Sequence, residues 1–208
     1  MRRATGSIVN WLNSDDFLAP GALRKIAEAF GGEDETLGVV VGIGHKLDAN
    51  HNIFYSPLPE RIDRESLLGW VDGWNFMQPA CFFRKSLWDN RGPIRTDLHY
   101  CMDYAFWLKI SKEYEFKILK EDIAFINSHP AAKTVAERKR LFAEIAIVLA
   151  SEPEGFPIAR RLAMDLADGK MVPDLDPSVG VLIKKIQLKL AQRVKNALHG
   201  LRSKRGLG

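Results

Sequence analysis

Short apolar runs rich in β-branched residues alternate along this chain with segments of helical periodicity, and that alternation limits the fold more than any other feature. The clearest run is Leu37-Gly38-Val39-Val40-Val41-Gly42-Ile43, continuous enough for a strand buried on both faces. An earlier run, Ser7-Ile8-Val9-Asn10-Trp11-Leu12, predicts a strand that ends in the acidic loop Asn13-Ser14-Asp15-Asp16. Pro20-Gly21 then precedes a helix over 22–30, where Leu23, Ile26, Ala27 and Phe30 recur at helical spacing before Gly31-Gly32 stops the pattern. Residues 53–55, 76–84, 116–119 and 123–126 read as further strands, and 64–71, 85–88 and 102–112 as helices. From 135 onward only helical patterns remain, over 135–150, 157–167 and 179–201. The class expected is therefore α/β, a sheet covered by helices and followed by a helical C-terminal extension.

Composition agrees with a globular chain, since 46% of the 208 residues are hydrophobic and 27% charged, enough to bury a core. No stretch approaches the roughly 18 apolar residues of a membrane span. The basic start Met1-Arg2-Arg3 runs into Asn10, Asp15 and Asp16 without the apolar region of a secretory signal, so a cytoplasmic location is expected. Cys81 and Cys101 have no CxxC or Cys/His ligand spacing around them and read as small buried hydrophobes. Eight of the 30 basic residues and none of the 26 acidic ones fall in 179–208, so a mildly acidic body carries a basic tail.

Two groups of residues have the character of a site. Asp15 and Asp16 stand at the carboxyl end of a predicted strand, where open α/β sheets bind ligands, and hard oxygen ligands in such a loop suit Mg²⁺ or Mn²⁺. The other reading is that one of them caps the helix that follows. Asp103 stands alone at the start of the aromatic segment Met102-Asp103-Tyr104-Ala105-Phe106-Trp107-Leu108. There it is either a general base held beside apolar walls or an N-cap. His129, after a predicted strand, is a ligand type without partners in sequence, and Lys133 has no visible partner either.

Four segments taken in order resemble glycosyltransferase family 2: Gly6-Ser7-Ile8-Val9-Asn10-Trp11-Leu12-Asn13-Ser14-Asp15-Asp16, Gln78-Pro79-Ala80-Cys81-Phe82-Phe83-Arg84-Lys85, Met102 to Leu108, and His129-Pro130-Ala131-Ala132-Lys133-Thr134. The resemblance covers roughly residues 1–134 and implies the GT-A fold, Rossmann-like, with a mixed but mostly parallel sheet between helices. It also implies an inverting transfer of a sugar from a nucleotide-diphosphate donor to an acceptor hydroxyl, in polysaccharide, lipopolysaccharide or lipid-linked glycan assembly. In those terms Asp15, Asp16 and His129 hold the Mn²⁺ or Mg²⁺ beside the donor diphosphate, and Asp103 is the catalytic base. Asn13, Asp15 and Gln78 then contact the donor, with Asn13 standing where the family's motif has its first acid, and Met102 where an acid often precedes the catalytic aspartate.

The family's first strands, which bind the nucleotide base and ribose, would precede Gly6 and are not in this sequence, so a fragment or truncated reading frame is expected. That leaves a second reading, a non-catalytic remnant or a module that binds sugar or nucleotide. The organisation expected is a catalytic-domain portion over 1–134, a helical extension over 135–178 and a tail helix over 179–208. In that tail Leu182, Ile186, Leu190, Val194, Leu198 and Leu201 form an apolar stripe among lysines and arginines. Such a helix either lies on an anionic membrane surface, at the inner face of the membrane, or docks on the body. Nucleic acid is not an expected partner, because the acidic body offers no continuous basic surface.

Overall fold

The structure, a computed structural model, describes residues 1, 3–32, 36–73, 75–128 and 137–170. Residues 1–173 form one compact unit. Its strands are β1 (Ile8–Val9), β2 (Phe17–Leu18), β3 (Leu37–Leu47), β4 (Ile53–Tyr55), β5 (Cys81–Arg84) and β6 (Glu115–Asn127). Its helices are α1 (Ala22–Ala29), α2 (Arg64–Leu68), α3 (Lys85–Arg91), α4 (Met102–Ile110), α5 (Arg138–Ala150) and α6 (Phe156–Ala167). The strands make one mixed sheet in the order β1-β5-β3-β6-β2, with β4 paired to β3. A mixed α/β architecture with flanking helices and C-terminal helices is thus the one expected from the alternation.

The sheet departs from the expected mostly parallel balance. Among the described strands β3 and β6 are the parallel pair, whereas β1–β5, β3–β5, β3–β4 and β2–β6 are antiparallel. Apolar content does not encode strand direction, which depends on where the connections return the chain.

Central β3 explains why its sequence is apolar without a break. Val39, Val40 and Val41 have no solvent exposure, and alternation sends them to opposite faces. Val39 and Val41 stand opposite Phe83 and Cys81 in β5 and join the larger core, beneath α2, α3, α4, α5 and α6. Val40, opposite Phe82, faces the smaller core with Ala22, Ile26, Ala29 and Phe30 on or beside α1. Helix α4 buries Tyr104, Phe106, Trp107, Leu108 and Ile110, the all-round apolarity expected of a helix enclosed on most sides.

The two runs read as separate strands, 116–119 and 123–126, are halves of the single strand β6. Its register against β3 slips between Val41 and Ile43, the paired residues moving from Ile118 to Asp122, so polar residues are accommodated in an irregularity instead of ending the strand. Conversely, the run over 7–12 pairs only at Ile8 and Val9. The Asn10 side chain there donates to the carbonyls of Pro79 and Cys81, both at 2.9 Å, which takes the chain out of the ladder.

The helices α5 and α6 belong to the larger core through Ile145, Val148, Leu149, Ala159 and Leu162. Ion pairs reinforce this packing: Arg64 of α2 reaches Glu152 at 2.6 Å, Lys112 reaches the same carboxylate at 2.9 Å, and Arg161 of α6 reaches Asp72 at 2.7 Å. Among the described residues no helix is long and apolar enough to cross a membrane.

Gly42 lies at the β3–β6 slip, and a Cβ built there would come within 2.1 Å of Ile123 Cγ1. Gly42→Ala is therefore expected to destabilise the protein by about 1–3 kcal/mol or more through overpacking, read as a lower urea midpoint with an unchanged slope.

Candidate functional site

The site is built around the end of β1. After Val9 the chain leaves the sheet and Trp11 lies flat on Trp107 of α4, with ring centroids 5.4 Å apart and planes 7° from parallel. Phe83 of β5 meets the Trp11 ring edge-on at 5.5 Å. The Trp11 carbonyl accepts a hydrogen bond from Gln78 Nε2 at 2.5 Å, which ties the strand end to the turn ahead of β5. Asn13 Nδ2 then donates to Asp16 Oδ2 at 2.8 Å, and Asn127 at the end of β6 donates to the Asp15 carbonyl at 2.5 Å. The acidic loop is therefore held from within and by a neighbouring strand.

Between this loop, α3 and the start of α4 opens a pocket of about 400 Å³, the size of a small-ligand site. Asn13, Gln78 and Asp103 supply polar lining, and Trp11, Trp88, Ile94, Tyr100 and Met102 supply apolar wall, with Met1 at its edge. Three residues singled out from distant parts of the sequence thus meet in one cavity. Asp15 and Asp16 are not among its lining residues; Asp16 touches that lining through the Asn13 amide. His129, and the tail over 179–208, lie outside the described residues.

Asp103 is not an N-cap. Cys101 holds that position without a side-chain bond, and Glu144 of α5 binds the segment that leads into α4. Glu144 accepts from the backbone N–H groups of His99, Tyr100 and Cys101 at 2.8, 2.8 and 3.3 Å. Nothing in the sequence near Asp103 could have shown this partner, 41 positions further along the chain. Asp103 Oδ1 accepts from the Tyr104 N–H at 2.8 Å, and burial raises its pKa above the ordinary 3.8 in spite of that bond. A carboxylate made more basic beside a pocket has the character of a proton acceptor.

Asp16, only 8% exposed, also has a raised pKa, with burial as the main cause and its bond to Asn13 opposing. Asp15 and Asp16 together offer the one or two hard carboxylates that Mg²⁺ or Mn²⁺ takes from a protein when substrate phosphates and water complete its shell, so their chemistry fits such an ion. Among the described residues no group of three or more His, Cys, Asp or Glu side chains is gathered to hold a metal. Cys81 and Cys101 are buried, and burial pushes both thiols up, which keeps them protonated, as expected of core hydrophobes.

A second polar chain escaped the sequence reading. His45 of β3 is 9% exposed, with Nδ1 2.7 Å from Ser56 Oγ and Nε2 2.8 Å from Asp122 Oδ1. Its ring stacks on Phe125 at 5.2 Å. Both ring nitrogens are satisfied, so the histidine straps β3 to β6 and to the segment after β4, as buried imidazoles require.

No protein-family profile matches the chain. Over an alignment of 128 residues the chain is 28% identical to "Uncharacterized protein MT1568" of Mycobacterium tuberculosis (strain CDC 1551 / Oshkosh), with 51% of this chain and 38% of that protein covered. Among solved structures, S. aureus TarS (residues 1–349) is similar with a TM-score of 0.48 and 14% sequence identity, over 72% of this chain and 42% of that one. The chain spans less than half the length of each.

The raised pKa of Asp103 has a consequence for stability. Below 3.8 the folded and unfolded forms are both protonated; as pH rises from there through the higher folded value, the unfolded chain loses its proton first and the fold loses stability. Asp103→Asn removes this titration. The variant is expected to gain stability relative to the parent at neutral pH and to lose that advantage below the ordinary carboxylate range, read from urea midpoints at the two pH values.

Proposed function

We propose that this chain is part of the catalytic domain of an inverting glycosyltransferase that moves a sugar from a nucleotide-diphosphate donor to an acceptor hydroxyl. The process it serves, in this reading, is polysaccharide, lipopolysaccharide or lipid-linked glycan assembly. The observation that carries the proposal is the meeting of Asn13, Gln78 and Asp103, from three separate motifs, around one pocket with a basic carboxylate in its wall.

The chemistry follows from the positions of the groups. An acceptor hydroxyl in the pocket gives its proton to Asp103 as its oxygen attacks the anomeric carbon from the side opposite the diphosphate, and the bond from that carbon to the diphosphate oxygen breaks. Direct displacement inverts the anomeric centre and needs no covalent link to the protein. Asp103 suits this task because it stands in the pocket wall and because burial strengthens its hold on a proton. Asp15 and Asp16, with His129, would hold Mn²⁺ or Mg²⁺, which supplies charge neutralisation to the departing diphosphate. Asn13 orients the Asp16 carboxylate, and Gln78 fixes the strand end that carries Trp11.

Two measurements test this reading. Nucleotide release from a panel of UDP-, GDP- and dTDP-sugars is expected to fall by roughly 10² to 10⁴ in Asp103→Asn with donor binding retained, because the amide keeps the shape but accepts no proton. Near-normal turnover in that variant would remove Asp103 as the base. Calorimetric binding of nucleotide diphosphates is expected to require Mn²⁺ or Mg²⁺ and to be lost on chelation or in Asp16→Ala. Binding that survives a chelator would remove the metal from the reading.

A further inference from the structure

Three aromatic side chains reach the pocket from separate segments: Trp11 after β1, Trp88 in α3 and Tyr100 ahead of α4. All three are half-buried, so each keeps ring surface for a ligand. Trp11 is fixed by its stack on Trp107 and by Trp88 edge-on at 6.4 Å, which makes the wall rigid before anything binds. Flat apolar walls of this kind match the C–H face of a pyranose ring.

The polar lining has an equally definite sense. Gln78 turns its nitrogen to the Trp11 carbonyl, and Asn13 turns its nitrogen to Asp16, so the amide oxygens Oε1 and Oδ1 point away from those partners. Asp103 adds a carboxylate, whose Oδ1 accepts from the Tyr104 N–H. Three side chains that carry oxygen acceptors, from three segments, therefore line one pocket with an aromatic wall. Their complement is a ligand rich in O–H donors, whereas a phosphate or carboxylate brings further acceptors and a charge of the same sign as Asp103.

Resting on the transferase reading of Asp103, we propose that this pocket seats the acceptor and that the acceptor is an uncharged pyranose. Its C–H face lies against Trp88 and Trp11, and its hydroxyls donate to Asp103, Gln78 and Asn13. The site thereby discriminates against uronic acids, sugar phosphates and phosphorylated polyols as the residue that receives the new bond.

Saturation-transfer NMR and tryptophan fluorescence, with the full chain and no donor, test this directly. The probes are the methyl glucopyranosides, galactopyranosides and mannopyranosides, cellobiose and lactose, set against glucuronate, glucose 6-phosphate and glycerol 3-phosphate. At least one neutral pyranoside is expected to bind about tenfold more tightly than each charged probe, with the strongest saturation on the C–H protons of one ring face. Trp88→Ala and Tyr100→Ala are expected to weaken that binding about tenfold, the urea midpoint being little changed in Tyr100→Ala and lowered in Trp88→Ala, whose ring packs on Trp11 and Phe106. Should Trp88→Ala unfold, Trp88→Leu and Tyr100→Ala carry the comparison. No binding by any neutral probe, equal or tighter binding of the charged ones, or indifference to loss of the aromatic rings would each overturn the proposal. The two readings fail separately: metal-dependent nucleotide binding without pyranoside binding removes only the acceptor proposal, and pyranoside binding without transfer from any donor removes the transferase reading.

Discussion

Trp11 lying on Trp107 is the contact on which the site depends. Trp107 is fully buried and touches Phe83, Phe106 and Phe76 as well, so a single aromatic cluster joins the end of β1, the middle of β5 and helix α4. Burying a ring system of about 200 Å² is worth about 5 kcal/mol before any geometric preference is added. Against this stands one deficit, since Trp107 Nε1 is buried without a hydrogen-bond partner among the described residues, at a cost of about 1–3 kcal/mol. Burial wins, and the cluster can therefore fix the residues just after β1, which the ladder does not hold. Residues 11–13 emerge from it directly into the pocket wall.

The same cluster sets the surroundings of Asp103. A helix as apolar as α4 has to be enclosed, and enclosing it removes water from the carboxylate in its first turn. The rise in the Asp103 pKa is thus a by-product of the packing that builds the wall. Glu144 completes the arrangement from α5, because the N–H groups of His99, Tyr100 and Cys101, in the segment leading into α4, find a carboxylate there. The helices beyond the region of resemblance are in this way part of the site's construction, joined to the body by a shared core and by Arg64 and Arg161.

Several features could be read from the sequence because they depend on nearest neighbours. The apolar run from Leu37, the helix from Ala22 stopped by Gly31-Gly32, and the short strand Ile53–Tyr55 were visible because periodicity and turn residues act within a few positions. Asn13, Gln78 and Asp103 were visible as candidates through the motifs around them. The aromatic wall was present as residue types, with Trp11 and Trp88 beside those motifs, but no spacing rule says which rings face a cavity.

The sequence by itself determined the class of the fold, most of its helices and strands, and which residues were candidates for a site, all consequences of local pattern and side-chain type. Tertiary structure alone decided three things. It made 116–119 and 123–126 one strand, because pairing with β3 continues across the slip at Gly42. It set most strand pairs antiparallel, because direction follows from the path of the connections. And it placed Asp103 in the first turn of α4 instead of at its cap, with the segment ahead of the helix held by Glu144, far along the chain, which only packing brings there.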